Sequence, residues 1–567
     1  MKEKIIDIPQ VRAAMEELMR WQKARSAHLA RIADEENFYR LRVAPRAHRS
    51  SEGESYAPTS AWLLNTVLQK HADLMENIPT ATCLAREPGD EQEAKALSAI
   101  LPVVLERSGF EEIYASNMWS KLKHGTCAYG VLWNNALENG LGDIEICRVD
   151  LRNLYWQSGV RDLQRSRAVY LVERVETSVL RARFPHFTGK GACSEFPGLV
   201  GDEGGEEQVI VVDWYYKKHL PDGRTVLHYC KFAGDTVLFA SENEEGFEQG
   251  WYEHGQYPFV LDVMYPIEDE NVGFGLIALA RDPQLYIDRM DRNLLEYMDW
   301  ATRVRFFCKK NTGVNEQEFS DLGRRIVEVE GDLDEERLRQ IRVDDLDGFW
   351  LELKNAKIDE LKETTANRNV LQGAADGGVI AASAIAALQE AGNKTVRDIV
   401  SASYRSFVRL VHLVIECVRQ FYNEARCFRI LGEDGGYSYF NWSNAGIVEQ
   451  PLGALEDGSP ITRRPVFDID VRAEKKDPYT RLSHNENLKE LYSMGVFEPQ
   501  NAAAAGVLLS AMDFSGIGQL RRQVADNARV NEEEGIEKDR EKQAGDPLKP
   551  ALSGAAAAHR RAAEGAL

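Results

Sequence analysis

The sequence has no set of cysteines and histidines arranged to hold a metal. Its eight cysteines, Cys83, Cys127, Cys147, Cys193, Cys230, Cys308, Cys417 and Cys427, are scattered, with no Cys-x-x-Cys pair and no histidine at ligand spacing. They read as inert thiols of a reducing compartment. A membrane-length apolar run is missing too: the most apolar long stretch, Val408 to Val418, is interrupted by Arg409, His412 and Glu416, which makes it a core helix. Met1 to Gln22 mixes Lys2, Glu3, Lys4, Asp7, Arg12, Glu16 and Glu17 with apolar positions, so no secretion-signal core is present and the chain is expected to start inside a cell. Gly189-Lys190 lacks both the earlier glycine of a phosphate-binding loop and a following Ser or Thr, which excludes an ATP-driven motor. Positive charge is also short: 69 basic residues against 90 acidic give a net charge of −21. Gripping nucleic acid over a broad surface draws on Lys and Arg displacing phosphate counterions, so that mode is excluded. An acidic or mixed surface still suits a duplex that must slide past, and it equally serves solubility.

What is present is size and ordinary globular composition. With 567 residues, 44% of them hydrophobic and 28% charged, the chain can bury a large core and divide into several folding regions. Val11, Met15, Leu18, Met19 and Trp21 have helical spacing, and Thr59 or Ser60 can cap a helix carrying Leu63, Leu64, Val67, Leu68 and Leu74 that Pro79 ends. Helices are predicted over Asp90 to Glu106, with Pro102 as a break, and over Glu111 to Lys123, while Ala44 to Ala57 reads as a loop. From Gly125 the period changes to two. Strands are predicted at Thr126 to Trp133, Asp143 to Val149 and Ala168 to Val175, with a turn at Glu138-Asn139-Gly140. After a short helix at Ser178 to Phe184 and a loop at Gly189 to Glu207, a meander follows: Val209 to Lys217, Thr225 to Phe232 and Val237 to Ala240, then Pro258 to Met264.

The second half contains the most informative series. A long helix (Gly275 to Thr302) carries a stripe of Leu285, Ile287, Met290, Leu294, Leu295 and Met298, with Asp282, Asp288, Asp291, Glu296 and Asp299 on its wet side. A strand-bearing insert follows, with Arg305 to Lys310 and Arg324 to Glu330 strand-like, then a returning helix (Phe349 to Gln372). The segment Gly373-Ala374-Ala375-Asp376-Gly377-Gly378 breaks that helix, and a very long amphipathic helix runs over Ser383 to Glu424. Strands at Cys427 to Leu431, Tyr437 to Trp442 and Val466 to Ala473, helices at Arg481 to Met494 and Asn501 to Asp526, and a disordered tail from Asn531 complete the prediction. The class is α+β and helix-rich.

Catalytic signals are weak. Gly273-Phe274-Gly275-Leu276-Ile277-Ala278 fits a dinucleotide fingerprint, but the acidic, proline-bearing Pro266 to Asn271 is no buried strand and no βαβ unit follows. Ser120-Lys121-Leu122-Lys123 matches a Ser-x-x-Lys pair without companion motifs and reads as a surface helix end. His124, His254 and His412 have no sequence neighbours that suggest a triad, and no spatial partners are expected. Lys354, Lys357 and Arg368 fall on one face of the returning helix, away from Glu352, Asp359 and Glu363, and suit either a phosphate backbone or acids of a neighbouring copy. Arg305, Lys309, Lys310, Arg324 and Arg325 form a second basic group facing nucleic acid or an acidic partner. No enzyme activity and no cofactor are expected.

The order of elements, together with Asn65-Thr66-Val67, His124-Gly125-Thr126-Cys127, Gly142-Asp143-Ile144, Val149 to Tyr155 and Gly275 to Gln284 with Asp288 and Asn293, resembles the portal proteins of tailed bacteriophages over Thr59 to Asp526. The resemblance implies a wing (residues 1–272), a first stem helix (273–302), a clip (303–347), a second stem helix (348–372) and a tunnel loop (373–383). It further implies a long wing helix with returning strands (384–478), crown helices (479–526) and a flexible tail (527–567). It implies a ring of about twelve copies at one capsid vertex, assembled in the host cytoplasm, that passes double-stranded DNA without sequence specificity during packaging and ejection. Gly373, Ala374, Ala375, Asp376, Gly377, Gly378, Val379 and Ser383 would line the channel, and the clip would dock the terminase large subunit and the head-completion adaptor. Major capsid and scaffold proteins are implied partners, and a membrane is not. Two alternatives differ in class: a soluble nucleotide-dependent enzyme using Gly273 to Ala278, and another capsid-associated oligomer such as a scaffold or adaptor.

Overall fold

The computed structural model describes residues 5–43, 47–50, 53–56, 59–189, 208–221, 223–302, 305–308, 338–341, 348–366, 394–431, 437–454, 460–475 and 489. It is a mixture of helix and sheet, 50% helical and 27% strand, which agrees with the α+β class. Among the described residues the α-helices are α1 (Ile8–Ala24), α2 (Ser26–Val43), α3 (Trp62–Met75), α4 (Glu91–Arg107), α5 (Phe110–His124), α6 (Thr177–Arg183), α7 (Leu276–Thr302), α8 (Phe349–Thr364) and α9 (Lys394–Phe421).

Helix α1 starts where Gln10 reaches back to accept the Asp7 backbone N–H at 3.2 Å, with Pro9 in its first turn. Its buried stripe, Val11, Ala14 and Leu18, covers one face of a five-stranded antiparallel sheet through Tyr155, Tyr170, Val172, Ile210 and Val212. That sheet runs in the order Thr236–Ala240, Thr225–Ala233, Gln208–His219, Ala168–Glu176 and Leu154–Trp156, so the predicted meander is present. A three-stranded sheet, Phe259–Val263, Thr126–Asn134 and Asp143–Val149, lies in the larger core with α3, α4, α5 and α9. The turn between its last two strands needs left-handed backbone at Glu138, Asn139 and Gly140 (φ 49°, 57° and 93°), which explains the Asn-Gly pair there.

Several expectations are corrected. Ala47–Ser50 and Gly53–Tyr56 pair as a hairpin inside the segment read as a loop, because ladder hydrogen bonds need no apolar pattern. Pro102 does not break α4: it lies on the solvent side while Leu97, Ile100, Leu101, Val104 and Leu105 keep the packed face continuous. Helix α3 stops at Met75, before Pro79, and Pro79 lies within an unpredicted strand, Asn77–Ala85, whose partner is Phe467–Lys475. Leu154–Trp156, Leu338–Ile341 and the hairpin Gln450–Ala454 with Pro460–Arg463 were likewise not foreseen.

Five of the six described thiols are withdrawn from solvent and one is not. Cys83, Cys127, Cys230 and Cys417 are buried, Cys147 is half-buried and Cys427 is exposed. Burial pushes the Cys83, Cys147 and Cys230 thiols up to about 12, away from the reactive thiolate. No described helix is long and apolar enough to cross a membrane.

Candidate functional site at the α7 and α8 helix pair

Of the segments that carried the functional expectations, the described residues include α7, α8 and the root from which α7 leaves the body. Helix α5 ends at Gly125, whose φ of +81° is a left-handed cap. A Cβ there would stand 2.1 Å from the Phe274 carbonyl carbon. Gly275 has a matching constraint, since its Cβ would lie 2.5 Å from the Lys123 carbonyl oxygen and 2.6 Å from that of Leu122. Gly273 pairs with Pro266, and its Cβ would meet the Tyr265 oxygen at 2.3 Å. The glycines of the dinucleotide-like string thus let two backbones touch, and protein fills the space that a pyrophosphate would need.

About three turns further along, α7 is pinned. Asp288 accepts from the Ser60 backbone N–H and hydroxyl, each at 3.0 Å, and from Gln284 at 2.9 Å, and pairs with Arg42. Gln284 also accepts the Leu63 N–H at 3.0 Å, supplying an acceptor to the first turn of α3. Asp288, read as part of the wet side, is buried here. The sequence signal was present in the i, i+4 pair Gln284 and Asp288, but its partners come from the distant segment 42–63.

Helices α7 and α8 run antiparallel, because Lys354 meets Asp291 while Lys357 lies over the Tyr286 ring at 5.6 Å. Lys357 also binds Glu360 at 2.6 Å. Of the basic line predicted on α8, the structure therefore brings Lys354 and Lys357 to one face and gives Lys354 an acid of its own chain; Arg368 lies outside the described residues. Arg305 sits in a short ladder opposite Ile341. Lys309, Lys310, Arg324 and Arg325 lie outside the described residues, as do Gly373, Ala374, Ala375, Asp376, Gly377, Gly378, Val379 and Ser383 and all of residues 479–526 except Lys489.

The apolar stripe of α7 divides in two. Ile287 is fully buried, yet Leu285, Tyr286, Leu295 and Met298, with Phe349, Trp350 and Leu351 of α8, expose between 44% and 62% of their surface. They are spread around the two helices rather than gathered on one side, at about 100° per residue.

Helix α9 is anchored from below. Lys121, fully buried, donates to Asp262 at 2.7 Å, to Ser403 at 2.7 Å and to the Ile399 carbonyl at 3.2 Å. Ser406 donates to the Leu261 carbonyl at 3.3 Å. All three donors of the Lys121 ammonium are matched, as a buried charge requires. This corrects the surface reading of Ser120 to Lys123, because helical spacing turns Lys121 inward and Ser120 and Lys123 outward. His124 also finds partners, contrary to expectation: Glu35 at 2.9 Å and Glu36 at 3.4 Å, both from α2. Hydrogen bonding from His124, with Lys123 and Arg40, holds the Glu36 carboxyl well below the usual carboxylate range. No group of acids, histidines and cysteines among the described residues could hold a metal ion.

The described residues form a mixed helix-and-sheet body in which α7 and α8 leave large apolar side chains exposed. A sequence model of the phage P22-like portal proteins matches residues 66–566, and the chain belongs to that family. The family is structural rather than enzymatic and implies a ring oligomer in a phage capsid. No curated protein sequence matches the chain.

Proposed function

We propose that the chain is the subunit of a ring, of about twelve copies, at one capsid vertex, whose bore is the channel for double-stranded DNA during packaging and ejection. The observations that carry this are membership of the portal family and the large apolar side chains that α7 and α8 leave exposed. A closed ring supplies the missing cover through a heterologous contact, in which each copy offers two different surfaces. In this assignment α7 and α8 are the stem, 303–347 is the clip that docks the terminase large subunit and then the head-completion adaptor, and 373–383 is the tunnel loop. The body with α9 and the returning strands is the wing, and 479–526 is the crown. Major capsid and scaffold proteins meet the outer surface during assembly in the host cytoplasm.

Sequence-independent passage follows from chemistry: contacts limited to phosphates carry no base information, and a chain of net charge −21 adheres weakly to the duplex. Lys354 and Lys357, already engaged with Asp291, Glu360 and Tyr286, would be only lightly adhesive if they faced the bore.

Electron microscopy of the purified protein tests the ring: an annulus with a central hole is expected, and a solitary globule under all conditions would overturn the proposal. Replacing Gly377 and Gly378 with tryptophan is expected to leave rings intact and impair DNA packaging. Undiminished packaging by that variant would remove the loop from the channel.

A further inference from the structure

A cavity of about 390 Å³ opens between α2, the last turn of α5 and the end of the strand Asp143–Val149 with the turn that follows it. Four cationic side chains line it, Arg40, Lys123, Arg148 and Arg152, against two carboxylates, Glu36 and Asp150. The chain as a whole has 90 acidic and 69 basic residues, so the balance is locally inverted.

Both carboxylates are already committed. Asp150 accepts from Arg152 Nε at 3.0 Å and Nη2 at 2.7 Å, and from the Arg152 backbone N–H at 2.9 Å. Glu36 accepts from Lys123 at 2.5 Å and Arg40 at 3.3 Å, beside the His124 ring. Arg148 is different: it forms no ion pair among the described residues, and its two Nη groups donate to the hydroxyls of Ser116 at 3.3 Å and Ser120 at 2.9 Å. Those neutral acceptors, one helical turn apart on α5, orient the guanidinium without neutralising it. Ser120 accepts from Arg148 and so keeps its own proton for a further acceptor in the cavity.

A fixed guanidinium fork, a second arginine, an ammonium and a hydroxyl around a space too narrow for a duplex are the donors that a tetrahedral oxyanion requires. We propose that this cavity binds a small phosphate-type oxyanion, held by Arg148 and Ser120, with Arg40 and Lys123 completing the charge. The site is independent of the channel assignment. It also has a mechanical consequence, because Lys123 and His124 immediately precede Gly125, where α5 touches Phe274 at the start of α7. An occupied cavity would tie α2 and α5 together at the root of the stem.

The test is thermal unfolding of the full chain titrated with inorganic phosphate, against sodium chloride at matched ionic strength. A saturable rise in Tm specific to phosphate is expected. Arg148→Gln, a change at an exposed side chain, should leave the phosphate-free Tm in place and weaken the apparent affinity at least about tenfold. Three results would overturn the proposal: a response no larger than that to chloride, an equal response in the variant, or displacement of phosphate by a short DNA duplex. A fourth would be rings that ignore phosphate yet fall apart in Arg148→Gln, which would mean that an acidic side chain of a second copy fills the cavity.

Discussion

At the scale of single residues, the contrast between Gly109 and Gly125 separates two costs that sequence cannot tell apart. Both have left-handed backbone, φ +65° and +81°, but a Cβ on Gly109 meets nothing within 4 Å while one on Gly125 runs into the Phe274 backbone. Gly109→Ala is therefore expected to cost only the conformational term, about 1 kcal/mol. Gly125→Ala should cost at least about 2 kcal/mol more, because two backbone segments must separate. Urea unfolding of both variants measures the difference, and equal losses would show that the α5–α7 contact is not tight. The string His124-Gly125-Thr126 was legible as the entry to a strand. That its glycine serves a contact with Phe274 was not, because nothing local encodes that neighbour. Lys121 and Lys123 make the same point: two residues apart, one is buried against Asp262 and the other lines an open cavity.

At the scale of elements, helical periodicity located α1, α3, α5, α7, α8 and α9, and period-two alternation located the meander and the strand beginning near Val466. The partner of that strand, Asn77–Ala85, is not legible in the sequence although its burial alternates, because Pro79 reads as a helix stop and the paired residues stand about 390 positions apart. The stripe on α7 was also legible. Its division into a buried part around Ile287 and an uncovered part was decided by which neighbours the fold supplies. If the uncovered part is the contact between copies, Tyr286→Glu with Leu351→Glu should leave the subunit's unfolding free energy within about 0.5 kcal/mol of the parent. Rings should be lost in the same variant. Light scattering after size-exclusion chromatography reads this directly, and persistence of full-size rings would place the contact elsewhere.

At the scale of the whole molecule, two half-buried histidines make stability depend on pH. Burial, reinforced by Arg25, Arg31 and His124, pushes His28 down to about 3, and burial with Arg464, Lys217 and Arg419 does the same to His254. Between the ordinary value of 6.5 and about 3 the unfolded chain binds more protons at these sites, so their contribution is complete above pH 6.5 and declines as pH falls toward 3. Unfolding free energy measured from pH 7 to pH 4 should fall on acidification, and His28→Asn with His254→Asn should flatten the slope; an unchanged slope would assign the acid sensitivity to other groups. These environments were invisible in the sequence, since burial and the arrival of distant arginines both depend on the fold.

Composition, periodicity and the order of segments by themselves determined the helix-rich α+β class, the long helices and the kinship with portal proteins, because those depend on local pattern and on what comes next along the chain. The tertiary structure alone decided that Asp288 is buried, that Lys121 is an internal anchor, that Arg148 is left facing a cavity and that part of α7 and α8 remains uncovered. The physical reason is that burial and charge pairing are properties of neighbours in space, and for these residues the neighbours come from far along the chain.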